Sequence, residues 1–119
     1  MSFERNLREL VSSVEGSLGA IFLDWEGETV EVACGDHPPD DLRVVGAYQG
    51  IFLGQLERLC RQLSMGRPQR FKVEFERETI LSCGLRDGYY LVLLLGFSAD
   101  ETLAWKALDH CRSHLLAEM

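Results

Sequence analysis

YYLVLLLGF, at residues 89–97, is apolar almost throughout and constrains the fold more than any other stretch. A strand with one wet face alternates apolar and polar residues, and this one offers water nothing on either side. It belongs at the centre of a sheet covered on both faces. LGAIFLD at 18–24 is a second run of the same kind. Two such strands require helices on both faces of one sheet, which means three layers.

The remaining elements can be read around those two strands. Phe3, Leu7, Leu10, Val11 and Val14 recur at helical spacing with Glu4, Arg5, Arg8 and Glu9 opposite, a first helix that ends near Gly16. WEGE at 25–28 supplies a turn, and TVEVAC at 29–34 alternates as a half-exposed partner strand. In the polar connection GDHPPDD at 35–41, Asp40 or Asp41 is placed to cap a second helix from Leu42 to Leu63, which MGRP at 65–68 stops. RFKVEFE at 70–76 puts Phe71, Val73 and Phe75 on one face and Lys72, Glu74 and Glu76 on the other, a one-sided edge strand. TILSCGLR joins the central strand through Asp87-Gly88, a pair suited to a tight hairpin turn at positive φ. Ser98 and Glu101 form a capping-box pattern before a last helix, with Asp100 adding negative charge there. Leu103, Ala104, Ala107, Leu108, Cys111 and Leu115 form its apolar face. The order is αββαβββα, an α+β chain expected to form a single three-layer α/β/α domain over 1–119 with a mostly antiparallel sheet.

Charge narrows the partners. A formal net charge of −7 with scattered basic residues argues against nucleic acid. No run approaches the roughly 18 to 20 apolar residues that membrane insertion requires. Cys34, Cys60, Cys83 and Cys111 are far apart with no CxxC pair, so they read as reduced core-filling thiols and point to a cytoplasmic protein.

The element order, together with VEGSLGAIFLDWEGETVEV at 14–32, resembles the roadblock family, the fold of roadblock-type dynein light chains and bacterial MglB proteins. The pattern is a first helix, a Gly-containing turn, an apolar strand ending in Asp24, and Gly27 opening the second strand. The resemblance implies a roadblock/profilin-like five-stranded sheet with the first and third helices on one face and the second on the other. It also implies a homodimer through the second helix, residues 42–63, and the strand at 70–76, the sheet continuing across two subunits. Members of the family commonly serve as platforms for small Ras-like GTPases, and MglB-like ones act on the GTPase cycle of a bacterial partner. Long MglB-like proteins carry a tail after the last helix that is almost lacking here, so tail-dependent functions are not expected.

Gly46, Gly50 and Gly54 stand four residues apart inside the second helix, and each glycine costs a helix interior about 1 kcal/mol relative to alanine. Leu42, Val45, Phe52, Leu53, Leu56, Leu59, Cys60 and Leu63 cover a broad side expected on the sheet, while Val44, Ala47 and Ile51 leave the first turns apolar all round. Small residues at this spacing let another backbone approach. Three readings stay open: a homodimer crossing, docking of a GTPase switch region, and close packing on the chain's own sheet or loops. The expected contact surface comprises Val44, Gly46, Ala47, Gly50, Ile51, Gly54 and Arg58 of the helix with Phe71, Val73 and Phe75 of the strand.

Signals for chemistry are few. No phosphate loop occurs, so the chain would regulate a GTPase rather than be one. His110 and His114 stand at i, i+4 without an evident third metal ligand, and Asp36, His37, Asp40 and Asp41 read as turn and cap residues. Arg58, Arg61 and Arg67 are the arginines nearest the end of the second helix, yet MglB-like proteins are thought to rearrange the GTPase's own residues. No catalytic residue, metal or cofactor is assigned. Trp25 and Trp105 are candidate contact anchors, Trp105 equally a rim-packing residue. The leading expectation is a homodimer that binds a small Ras-like GTPase and modulates its nucleotide cycle. The alternatives are a structural dimerisation module with no effect on GTP turnover and, more weakly, a small-molecule sensor.

Overall fold

The structure is a computed structural model and describes residues 2–119. The elements are α1 (Ser2–Ser13), β1 (Ser17–Leu23), β2 (Thr29–Cys34), α2 (Pro39–Leu63), β3 (Arg70–Glu74), β4 (Glu78–Gly84), β5 (Tyr90–Gly96) and α3 (Glu101–Glu118). A tight turn around Asp87-Gly88, closed by the Tyr89 amide donating to Arg86 O at 3.2 Å, links β4 to β5. The sheet order is β2-β1-β5-β4-β3 with every neighbouring pair antiparallel. The α+β order read from the sequence is the one observed, and the strand without alternation is the central one.

Side chains of β5 divide between two cores. Leu91, Leu93 and Leu95 join Leu7, Leu10 and Val14 of α1 and Ala104, Leu108 and Leu115 of α3. Val92 and Leu94 face the other way, with Ile21, Leu23 and Ile80, toward Leu42 and Val45 of α2. The period-two geometry of the strand makes a run of leucines serve both sides. α2 lies over β1 and β2, so the β3–β4 half of that face is left largely open.

Several local expectations need correction. Neither Asp40 nor Asp41 caps α2: the helix begins at Pro39, with Pro38 as the N-cap residue in extended geometry. Proline suits the first helical position because the amide it lacks has no partner there, and the two aspartates instead place negative charge in the first turn. α3 is capped by Asp100, whose carboxylate accepts from the Leu103 amide at 3.2 Å, not by Ser98. Ala99 N–H bonds back to Gly96 O at 3.1 Å, holding Ser98 in the turn before the helix. Leu103 then falls on the exposed side of α3. Asp87 and Gly88 have φ of 62° and 81°, the positive values foreseen for that hairpin.

Candidate interaction surface

The position of α2 is decided by its glycines. A Cβ on Gly46 would lie 2.7 Å from Leu23 Cδ2, and one on Gly50 would lie 2.6 Å from Gly27 Cα. Gly27 sits in the β1–β2 turn at φ +84°, so glycine meets glycine where helix backbone crosses turn backbone. Gly46 and Gly50 therefore pack within this chain. This corrects their place on the expected outer contact surface: of the three readings of the stripe, internal packing describes these two. Gly54 differs, with nothing within 4 Å of the position a Cβ would take.

One buried polar contact fixes the same orientation. The Gln49 amide donates to Ser82 Oγ of β4 at 2.7 Å, and both residues are sealed from solvent. An amide left unpaired there would lose about 1–3 kcal/mol, so α2 is held with Gln49 against the sheet.

Rolling the glycines and Gln49 inward turns the opposite side of α2 outward. Val44, Tyr48 and Ile51, at 56%, 62% and 56% exposed, form a line that Phe52, Leu59 and Leu63 widen. Phe52, Leu59 and Leu63 thus lie outside, not on the sheet as their helical phase suggested, because the narrower glycine side makes the closer approach. Ala47 and Arg58 are also exposed, so Val44, Ala47, Ile51, Gly54 and Arg58 of the expected residues lie on the solvent side of the helix. Tyr48, Phe52, Leu59 and Leu63 are exposed beside them; Gln49, buried against the sheet, sets Val44 and Ile51 on the far side of the helix.

The surface continues at the open edge of the sheet. Phe71 pairs with Ser82 and Val73 with Ile80, so both point to the α2 face, as does Phe75. Phe71 and Val73 are half-buried and Phe75 is exposed. Between Phe75 and the start of α2 lies a groove of about 540 Å³ with Val45, Phe75, Ile80 and Leu94 among its lining residues. At its end His37 Nε2 lies 3.0 Å from both carboxylate oxygens of Glu78, tying the β2–α2 connection to β4.

The other face of β3 is charged and already engaged with α3. Lys72 Nζ is 3.1 Å and 3.2 Å from the two Glu101 oxygens, and that hydrogen bond raises the lysine above its ordinary pKa. Arg70 reaches Asp109 at 3.4 Å and lies 4.3 Å over the Trp105 ring. Trp105 is accordingly a half-buried packing platform. Trp25 stands exposed at the β1–β2 turn, edge-on to Tyr89 at 5.7 Å. Asp24 Oδ1 accepts from the Glu26 and Glu28 amides at 2.9 and 3.0 Å, which shapes the turn that presents it.

The chemical candidates stay apart. Arg67 is bonded to Glu57 at 3.0 Å, while Arg58 and Arg61 point to solvent. His110 and His114 are exposed with rings 4.5 Å apart, and among the described residues no three His, Cys, Asp or Glu side chains converge on a metal position. Burial pushes the Cys83 and Cys111 thiols up to about 12, so both stay protonated at neutral pH. Among the described residues no helix is long and apolar enough to cross a membrane.

No family model and no curated protein sequence matches the chain. Solved structures do. A roadblock/LC7 domain from Streptomyces avermitilis is 17% identical at a TM-score of 0.84, covering 95% of this chain and 93% of its own. Myxococcus xanthus MglB is 10% identical at 0.86, covering 97% and 92%. MglC from Myxococcus xanthus is 24% identical at 0.71, with both chains covered over their full length. Agreement of three-dimensional form over nearly the whole chain, with the strand order and helix layers above, gives this protein the roadblock/LC7 fold.

Proposed function

We propose that the chain is a homodimeric platform for a small Ras-like GTPase whose nucleotide cycle it modulates. It works in the reducing cytoplasm as a single functional domain without an active site of its own. The observation that carries this reading is the apolar outer side of α2, continuous with the Phe71–Phe75 face of β3 and covered by none of the described residues. A helix apolar on its outer side is normally buried against something. The likeness to MglB and to roadblock domains supports a protein partner over a small molecule.

One helix side cannot serve two partners at once, so the surface divides. The edge of β3 and the adjoining flank of α2 meet the second copy, and the outward line of Val44, Tyr48 and Ile51 forms, with its copy, the shared GTPase-facing side. Modulation then follows from binding one switch state more tightly than the other, since a ligand shifts an equilibrium only by its differential affinity. The test is GTP hydrolysis and nucleotide exchange by a small GTPase captured from the same source, with and without this protein, after light scattering has established the dimer. A change in either rate that disappears in Tyr48→Glu supports the proposal. Measurable binding with both rates unchanged leaves a structural dimerisation module instead.

A further inference from the structure

Charge is distributed unevenly between the two ends of the sheet. All neighbouring strands are antiparallel, so β1 and β4 begin at the end where β2, β3 and β5 finish. Four connections meet there: 14–16 before β1, 35–38 after β2, 75–77 between β3 and β4, and 97–100 after β5. Together with the adjoining residues 39–41, Glu74, Glu78 and Glu101, they hold nine of the nineteen acidic side chains and one of the twelve lysines and arginines, Arg77. The net charge of −7 is therefore seated entirely at this end, and the rest of the chain is close to balanced. Asp36, Asp41 and Glu76 are exposed and form no ion pair among the described residues.

Apolar surface lies among these charges. The groove of about 540 Å³ places Val45, Phe75 and Ile80 beside Asp41, Glu76 and Glu78. Phe75 apart, none of its lining residues belongs to the contact surface expected for the second copy or the GTPase. Phe97 follows Gly96, which pairs with Glu78, and at 91% it is the most exposed large apolar side chain among the described residues. The turn that carries it is anchored at both ends: Gly96 N–H donates to Gly16 O at 2.8 Å, and Ala99 N–H to Gly96 O at 3.1 Å.

We propose that this end of the sheet binds a cationic peptide segment of another protein, its lysines and arginines facing Asp36, Asp41 and Glu76 and one apolar side chain seated in the groove. Charge selects the class of occupant, because a field of this sign repels nucleic acid and anionic lipid and draws in cations. The apolar wall selects a peptide over a polyamine, which satisfies carboxylates but brings no side chain to bury. Length fits as well: from β2 to β3 is four strand spacings of about 4.8 Å, or about 19 Å, which about six extended residues span. The carboxylates speed the encounter and the groove fixes the segment in place.

Fluorescence anisotropy with two labelled peptides of about ten residues tests this. In one, lysine and arginine flank a central Leu-Phe pair; in the other, serines replace that pair. The first is expected to bind at micromolar concentration in about 50 mM salt, at least fivefold tighter than the second, and to weaken at least tenfold in about 500 mM salt. Asp41→Lys/Glu76→Lys should weaken it at least tenfold, and the milder Asp41→Asn/Glu76→Gln by an intermediate factor, both with wild-type thermal unfolding. Glu26→Lys/Glu28→Lys, the same change of net charge at the opposite end of the sheet, should weaken it less than threefold. Equal losses from the two lysine pairs would reduce the effect to net charge and overturn the site, and equal binding of the two peptides would remove the groove from it. A wild-type dimer that Asp41→Lys/Glu76→Lys converts to a monomer in light scattering would give the groove to the second copy, and overturns the proposal too.

Discussion

On one face of the sheet α1 and α3 close over Leu91, Leu93 and Leu95; on the other α2 alone covers Ile21, Leu23 and Leu94 and leaves Phe71, Val73 and Phe75 at the rim. The helices repeat the contrast. α3 turns Ala104, Leu108, Cys111 and Leu115 inward and shows solvent mainly Thr102, Lys106, Asp109, His110 and Ser113. α2 turns Gly46 and Gln49 inward and shows solvent Val44, Tyr48, Ile51 and Phe52. The sealed face is finished within one chain. The other has small and polar residues where a core helix would carry its bulk, and bulk where a solvated helix would carry charge.

If that contrast is real, the largest effect should come from the sealed face. Leu93→Ala removes a fully buried side chain between α1 and α3, where rigid neighbours on every side resist collapse. A loss of about 2–5 kcal/mol of unfolding free energy is expected, read by urea denaturation with the slope unchanged. A loss below about 1 kcal/mol would mean that the sealed face is looser than its burial indicates.

How far the sequence led differs between the same two faces. β5 and β1 were legible because the lack of alternation in YYLVLLLGF and LGAIFLD has one physical meaning, coverage on both sides. The edge character of β3 was equally plain from its alternation. The roll of α2 was not, because a helix apolar on two sides gives no phase, and the contact that selects one phase is Gly50 against Gly27, in a turn far off along the chain. Gln49 was the overlooked sign, a polar side chain whose partner Ser82 lies on a strand only the fold brings near. The caps failed for a local reason: Ser98 and Asp100 both suit an N-cap, and the Gly96–Ala99 turn decides between them.

The glycine stripe sharpens the comparison inside one helix. Gly50→Ala would press a Cβ on Gly27 Cα at 2.6 Å, backbone against backbone with no side chain able to yield. Overpacking of that kind costs about 1–3 kcal/mol and should outweigh the gain in helix propensity. Gly54→Ala meets open space and should raise stability by up to about 1 kcal/mol through propensity alone. Opposite signs in thermal unfolding are the expected result for two glycines one helical turn apart. A stabilising Gly50→Ala would return Gly50 to the outer surface.

The smallest effect on folding should come from the outer line of α2, and it is the one most telling about function. Ile51 is more than half exposed at 56%, so Ile51→Glu removes little buried area, and glutamate keeps good helix propensity. Unfolding free energy of the isolated chain should change by no more than about 0.5 kcal/mol. Association is another matter: a carboxylate on an apolar contact surface must be desolvated without a partner, so binding of the proposed GTPase, and of the proposed second copy where the helix flank reaches it, should weaken at least tenfold in light scattering and titration. A variant that folds and associates as the wild type does would make the apolar outer side of α2 incidental, and with it the asymmetry between the two faces of the sheet.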